Sequence, residues 1–311
     1  MQVRRNPAQW TPTQRVAQML VFPFLLGGAM LVMGLGISYF ELPALLIATP
    51  IALVFGFVFI PLFEWWLPYR EDWRIVRSDF KIDLLNILIN NGVVEKIWAT
   101  ALTFALAGGA AMASNAMGNS FWPHTWPLAA QFVLLAVISE FGSYWYHRFA
   151  HKTPWMWRLH AVHHSSPRLH FLNAPRLHPL DKIIAFLPEF LPIVLLGVNI
   201  EIIALWTVYN SVTGLAQHAN ICMRLGPLNY VFSINELHRW HHSKLVKESD
   251  TNFGNNLIIF DLLFGTYFLP KDRVIEEIGL LNPDYPPDYF GQLAAPFGER
   301  DLSKPLGYVA V

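Results

Sequence analysis

Uncharged apolar runs alternate with short polar connections along the amino-terminal half of the chain. A membrane-crossing helix needs about 20 mostly apolar residues. Four stretches satisfy that length, at residues 16–40, 42–63, 97–117 and 121–139, and none contains a charged side chain. Pro123 and Pro127 interrupt the last one, so its helix is predicted to start near Leu128 and to run on through Trp145. Residues 84–94 are apolar with interspersed Asn; an interfacial helix and an extension of the third span both fit. The stretch 183–217 is too long for one span and too short for two ordinary ones. Gly197-Val198-Asn199 lies near its middle, with Glu189 and Glu201 on either side. That pattern predicts a hairpin that dips into the bilayer and returns to the same side, with two short tilted spans as the alternative.

Composition points the same way. The 311 residues are 54% hydrophobic and 14% charged, where a soluble domain carries about 25% charged residues. A net charge of zero argues against nucleic acid as a partner. The single cysteine, Cys222, excludes an intramolecular disulfide and does not suggest a thiolate metal site. The first apolar run exceeds the roughly 7–15 residues of a signal-peptide core and lacks a convincing cleavage site. Arg4, Arg5 and Arg15 precede the first span, and Arg70, Arg74, Arg77 and Lys81 follow the second, whereas the connection 112–126 has no Lys or Arg. The bias of Lys and Arg toward the cytoplasm then orients four spans with the amino terminus inside. Four spans put residues 147 onward in the cytoplasm, and a returning hairpin keeps residues 218–311 on that side. The resulting expectation is an all-α membrane bundle of four spans, a partial hairpin and a cytoplasmic helical cap. Its regions are residues 1–127, a histidine-bearing domain at 128–270, and an irregular tail at 271–311 rich in Pro and Gly.

Eleven of the twelve histidines lie between residues 147 and 242, and eight form three tight clusters. These are His147 with His151, His160 with His163 and His164, and His238 with His241 and His242. Spacings of three and four place side chains on one face of a helix. Thr153-Pro154 is a helix start, Ser165-Ser166-Pro167 ends that helix, and Ser233 with Glu236 reads as a capping box. Eight imidazoles exceed what one metal needs, which points to a two-metal site bound almost wholly by nitrogen. Imidazole suits zinc, iron, copper and nickel alike. A zinc hydrolase would need a general base such as the Glu of H-E-x-x-H, which is absent here. Strongly cationic metals beside a lipid-facing cavity favour iron-based activation of dioxygen against a C–H bond. The alternatives are a histidine-lined metal transporter, which the uncharged spans disfavour, and a zinc-dependent membrane hydrolase.

These boxes, H-x3-H, H-x2-H-H and H-x2-H-H, resemble those of the fatty acid hydroxylase / sterol desaturase superfamily. So do Tyr144-Trp145-Tyr146-His147-Arg148, Asn173 through Pro179, Gln217-His218-Ala219-Asn220, Asn252-Phe253-Gly254 and Asp261 through Gly265. The resemblance covers roughly residues 128–270. It implies a non-haem di-iron centre, dioxygen as co-substrate, an external electron donor and a lipid substrate, oxidised by hydroxylation or desaturation. Hydroxylation is the expected reaction, since it demands less control of the substrate.

Further candidates follow from it. His218 is a candidate ligand, although Cys222 stands where the second histidine of an H-x3-H pair would fall. His178 is a weaker one, His170 is expected at the interface, and His124 falls in an outer loop. Metal-bound histidines usually donate their second N–H to a carboxylate, carbonyl or water. Glu140, seven residues before His147, is expected in that role, with Asp181, Asp261 and Asp250 behind it. Arg148 and Arg239 are expected to be solvated or at lipid headgroups.

Overall fold

A computed structural model describes residues 10–298 apart from 95, 98, 99 and 101–120. Among them the chain is all-α, with isolated bridges such as Ser243–Ile278 instead of strands. Helix α1 (Pro12–Ser38) starts on a capping box in which Thr11 accepts from the Gln14 N–H and Gln14 reaches back to Thr11. Helix α2 covers Ala44–Trp66. Each contains a π turn, Pro23–Gly27 and Phe55–Phe59, where Pro23 and Pro61 remove a backbone donor. Large apolar side chains such as Leu31, Leu46 and Leu62 point outward, the surface a bilayer requires.

Helix α3 (Asp79–Leu85) continues as a π-helical stretch, Asn86–Val94. The Asn residues expected at an interface are turned inward: Asn86 and Asn90 are buried, and Asn90 donates to the Leu177 carbonyl at 3.0 Å. The predicted third span, 97–117, lies almost wholly outside the described residues.

Helix α4 (Leu128–Lys152) begins where the prolines predict and runs 25 residues, carrying His147 and His151 on its last turns. Thr153 breaks it, and α5 (Pro154–His164) follows with Pro154 at its first position. Helices α6 (Pro179–Leu196) and α7 (Ile200–His218) form the predicted hairpin, turned by Gly197 at φ 72°. Helix α6 runs antiparallel along α4: His124, just before α4, bonds the Asn199 carboxamide at the tip, and Tyr146 near its other end donates to the Asp181 carbonyl at 3.0 Å. Midway, a Cβ at Gly142 would stand 2.0 Å from the Pro188 oxygen, so only glycine permits this approach. At 1.5 Å per residue, helices of 18 and 19 residues reach about 27 Å. Of the described helices, α1, α2 and α4 are long and apolar enough to cross a membrane.

Beyond α7 come the short helices α8 (Asn235–His241), α9 (Val246–Ser249), α10 (Ile259–Phe264) and α11 (Tyr289–Ala294). The expected capping box of α8 does not form. Its helix starts two residues after Ser233, and the Glu236 carboxylate instead accepts from the Leu225 N–H (2.6 Å) and Asn229 (2.9 Å). The tail is largely irregular and lies against the cap: Gly279 donates to the His242 carbonyl at 3.0 Å, and Arg158 donates to the Pro296 carbonyl at 2.7 Å.

Candidate metal centre

Successive residues on a helix point about 100° apart, so a doubled histidine cannot aim both rings at one point. This divides the site. His164 and His241 join His147, His151 and His160 in one nest, and their neighbours His163 and His242 join His218 and His238 in a second. Within each nest one ring nitrogen per histidine lies within 4.8 Å of all the others. The nests adjoin, with the His164 and His242 rings stacked at 4.4 Å. All nine are buried except His147, which is half-buried. Burial, followed by neighbouring imidazoles, holds His163, His164, His238, His241 and His242 well below the usual histidine range. They are neutral at pH 7, the form that binds metal.

The tautomers are dictated from outside. The Nδ1 of His147 bonds the Phe253 carbonyl (2.8 Å), that of His241 the Thr251 carbonyl (2.8 Å), and that of His163 the Arg176 carbonyl (3.2 Å). His160 and His151 use Nδ1 on Asp181 (3.0 Å) and Asp250 (3.2 Å). Carbonyls and carboxylates only accept, so each Nδ1 carries the proton and each Nε2 a bare lone pair. Yet Nε2 of His147 and His160 are 3.1 Å apart, as are those of His151 and His164. In the second nest His238 stands 3.0 Å from both His218 and His242. The buried Nε2 of His241 has no partner. The lone pairs of His147 and His160, crowded this way, repel unless a cation lies between them. At a metal–nitrogen distance of about 2.1 Å, two ligands at right angles stand about 3.0 Å apart, so the residues fit a metal pair.

The other sequence candidates separate. Asp181 and Asp250 touch site histidines. Glu140 does not: its fully buried carboxylate accepts from Asn256 N–H (2.9 Å), Leu257 N–H (3.1 Å) and the Asn256 side chain (2.6 Å). Asp261 similarly takes the N–H groups of Phe253 (2.8 Å) and Gly254 (2.7 Å). Both shape the loop whose Phe253 carbonyl holds His147, one step further out than expected. His178 stands apart from both nests. Its Nδ1 caps α6 by accepting from Leu180 N–H (3.1 Å), and Nε2 donates to the Leu293 carbonyl (3.1 Å).

Three residues expected at the surface or interface depart from that reading. His170 is buried against Asp83 at 2.9 Å. Arg239 is buried with its guanidinium 3.8 Å from the Tyr69 ring centre. Arg148 is half-buried and donates to the Tyr144 hydroxyl at 3.0 Å.

Sequence reasoning missed Asn173, whose carboxamide oxygen lies 2.8 Å from His218 Nδ1. It sits in a loop anchored to α3 by two buried ion pairs, Arg168–Asp79 (2.8 Å) and Arg176–Asp83 (2.7 Å). Asp79, Asp83 and His170 also cluster closely enough for a metal, but the arginines already occupy both carboxylates. The available signals were Asn173's place in a segment that resembles the family and four charged or polar residues, Asp79, Asp83, Asn86 and Asn90, at helical spacing in an apolar stretch.

The chain belongs to the fatty acid hydroxylase family, whose profile matches residues 132–266. Ornithine lipid hydroxylase OlsE of Rhizobium tropici is 37% identical over 250 residues, spanning 80% of this chain and 75% of that protein. An alkylglycerol monooxygenase of Danio rerio is 33% identical over 165 residues, 53% of this chain but 34% of that protein. Methylsterol monooxygenase 1 of Rattus norvegicus is 27% identical over 133 residues, 42% of this chain and 44% of that protein. No solved structure matches. All nine nest histidines fall inside the matched segment. The protein is thus a membrane-associated oxidoreductase whose histidine clusters fit a metal site.

Proposed function

We propose that the chain is a membrane-bound di-iron monooxygenase that hydroxylates the apolar part of an acyl lipid. The observation that carries this reading is the pair of adjoining nests, five and four imidazoles, at the end of an apolar bundle. His147, His151, His160, His164 and His241 would hold one iron, and His163, His218, His238 and His242 the other. When bound, the iron pair supplies the activation of dioxygen, with electrons from an external donor protein or reductant. One oxygen atom enters the C–H bond and the other leaves as water, consuming two electrons and two protons.

The chain's own part is to hold and orient. Asp181, Asp250, Asn173 and the carbonyls of Phe253, Thr251 and Arg176 fix ring tautomer and direction. The described part of the tail packs against the site helices, Gly279 donating to the His242 carbonyl. Ornithine lipid, in the name of the Rhizobium tropici relative matched over 80% of this chain, favours an acyl lipid over a sterol. Among the described residues, the carboxylates that touch the nests, Asp181 and Asp250, are engaged in holding His160 and His151, which disfavours a hydrolase that needs a general base. The length of α6 and α7 supports a full membrane crossing by each, with the nests on the cytoplasmic side.

The test pairs metal analysis with lipid profiling. Purified protein should hold about two irons per chain. Cells expressing it should accumulate a lipid heavier by one oxygen atom, with the atom drawn from labelled dioxygen. One zinc per chain, or label arriving from water, would overturn the assignment.

A further inference from the structure

The two nests are supported in different ways. In the five-histidine nest, four imidazoles are held from outside, and two of the four holders are carboxylates: Asp181 on His160 and Asp250 on His151. In the four-histidine nest the holders are a carbonyl, that of Arg176 on His163, and an amide, Asn173 on His218. The Nδ1 atoms of His238 and His242 are buried without a partner. Among the described residues, no carboxylate bonds an imidazole of this nest. The nearby acids are engaged elsewhere: Glu64 accepts the backbone N–H groups of Phe171 (2.9 Å) and Asn220 (2.7 Å), and Asp83 pairs with Arg176 and His170.

A hydrogen bond to a carboxylate makes the opposite ring nitrogen a stronger donor and places a negative charge behind the metal. An amide or carbonyl supplies neither, and an unpartnered Nδ1–H gives no support at all. We propose that the nests differ in metal affinity: the Asp181/Asp250-backed nest binds first and tightly, and the Asn173-backed nest binds second and exchanges. This rests on the di-metal reading above. With one protein ligand fewer, the second nest would leave more room for an exogenous oxygen ligand.

The inference gives Asp250 a specific role. It links His151 to Lys152 at the protein surface, whose ammonium lies 2.7 Å from its second oxygen, and so joins the tight nest to solvent. Asp250 is a positioning residue that acts through His151.

The experiment is an anaerobic titration of metal-free full-length protein in detergent with Fe(II), and in parallel with Co(II), followed by absorption and by metal bound after gel filtration. Two steps of one equivalent each are expected, at least about 10-fold apart in affinity. His218→Ala should abolish the weak step and leave the tight one. Asp250→Asn and Asp181→Asn should each weaken the tight step by about 10–100-fold and leave the weak step in place, with Asp250→Glu recovering part of the loss. A single step of two equivalents, or loss of the tight step in His218→Ala, would overturn the order. Less than one equivalent bound by the unaltered protein would sink the di-metal reading and this proposal with it.

Discussion

His147 and His160 face each other with ring nitrogens 3.1 Å apart, and both hold their protons on the far side, toward the Phe253 carbonyl and Asp181. Two lone pairs at that separation are stable only around a cation. At His151, whose Nδ1 bonds Asp250, the bare Nε2 likewise faces a second imidazole, that of His164 at 3.1 Å. The cap is thus organised so that its outer hydrogen bonds leave the inner nitrogens free.

Removal of one such nitrogen should therefore be read in metal content. Each of the nine histidines changed to Ala should lower bound iron and abolish turnover, while the protein still inserts in the membrane. His241→Ala is the most telling case because its Nε2 has no other partner. Full iron content in two or more of the nine variants would contradict the assignment.

Asp181 and Glu140 should separate support of the metal from support of the fold. Asp181→Asn should keep the fold and lose about 10–100-fold in metal affinity. Glu140→Gln removes the charge that gathers three donors from Asn256 and Leu257, costing about 1–3 kcal/mol in stability. Its iron content should stay close to two per chain. Thermal melts and metal analysis on both proteins check this, and the reverse pattern would place Glu140 next to a ligand.

His178→Ala should behave as a lost helix cap. The change removes the acceptor of the Leu180 N–H and the bond to Leu293. Loss of an N-cap costs about 0.5–2 kcal/mol. A lower melting temperature with unchanged iron is expected, and loss of one iron would return His178 to the ligand set.

Topology can be read by position. Fusions after Arg77, after His178 and at the carboxyl terminus should report the cytoplasm, and one near Asn119 the opposite side. Because His124 bonds Asn199, a cysteine introduced at Asn199 should be labelled from the same side as one at His124. Labelling of Asn199 only from the cytoplasm would mean that α6 and α7 do not cross.

Local geometry made much of this protein legible in its sequence. Span length, the proline-set start at Leu128, the Thr153-Pro154 break and the three histidine patches all depend on neighbours within one or two helical turns. The resemblance in those patches already implied the family. Tertiary packing decided the rest, because a buried polar group finds its partner wherever the fold brings one. Glu140 reads as a neighbour of His147 along one helix face, yet it bonds Asn256, 116 positions away. His178 and His218 look alike as isolated histidines beside a helix end. The carbonyl of Leu293 claims one, and Asn173 turns the other into the second nest. The hairpin's packing was set by α4, against which Gly142 admits the Pro188 backbone. Periodicity is a property of a single helix, whereas the pairing of buried charges and imidazoles exists only once several helices meet.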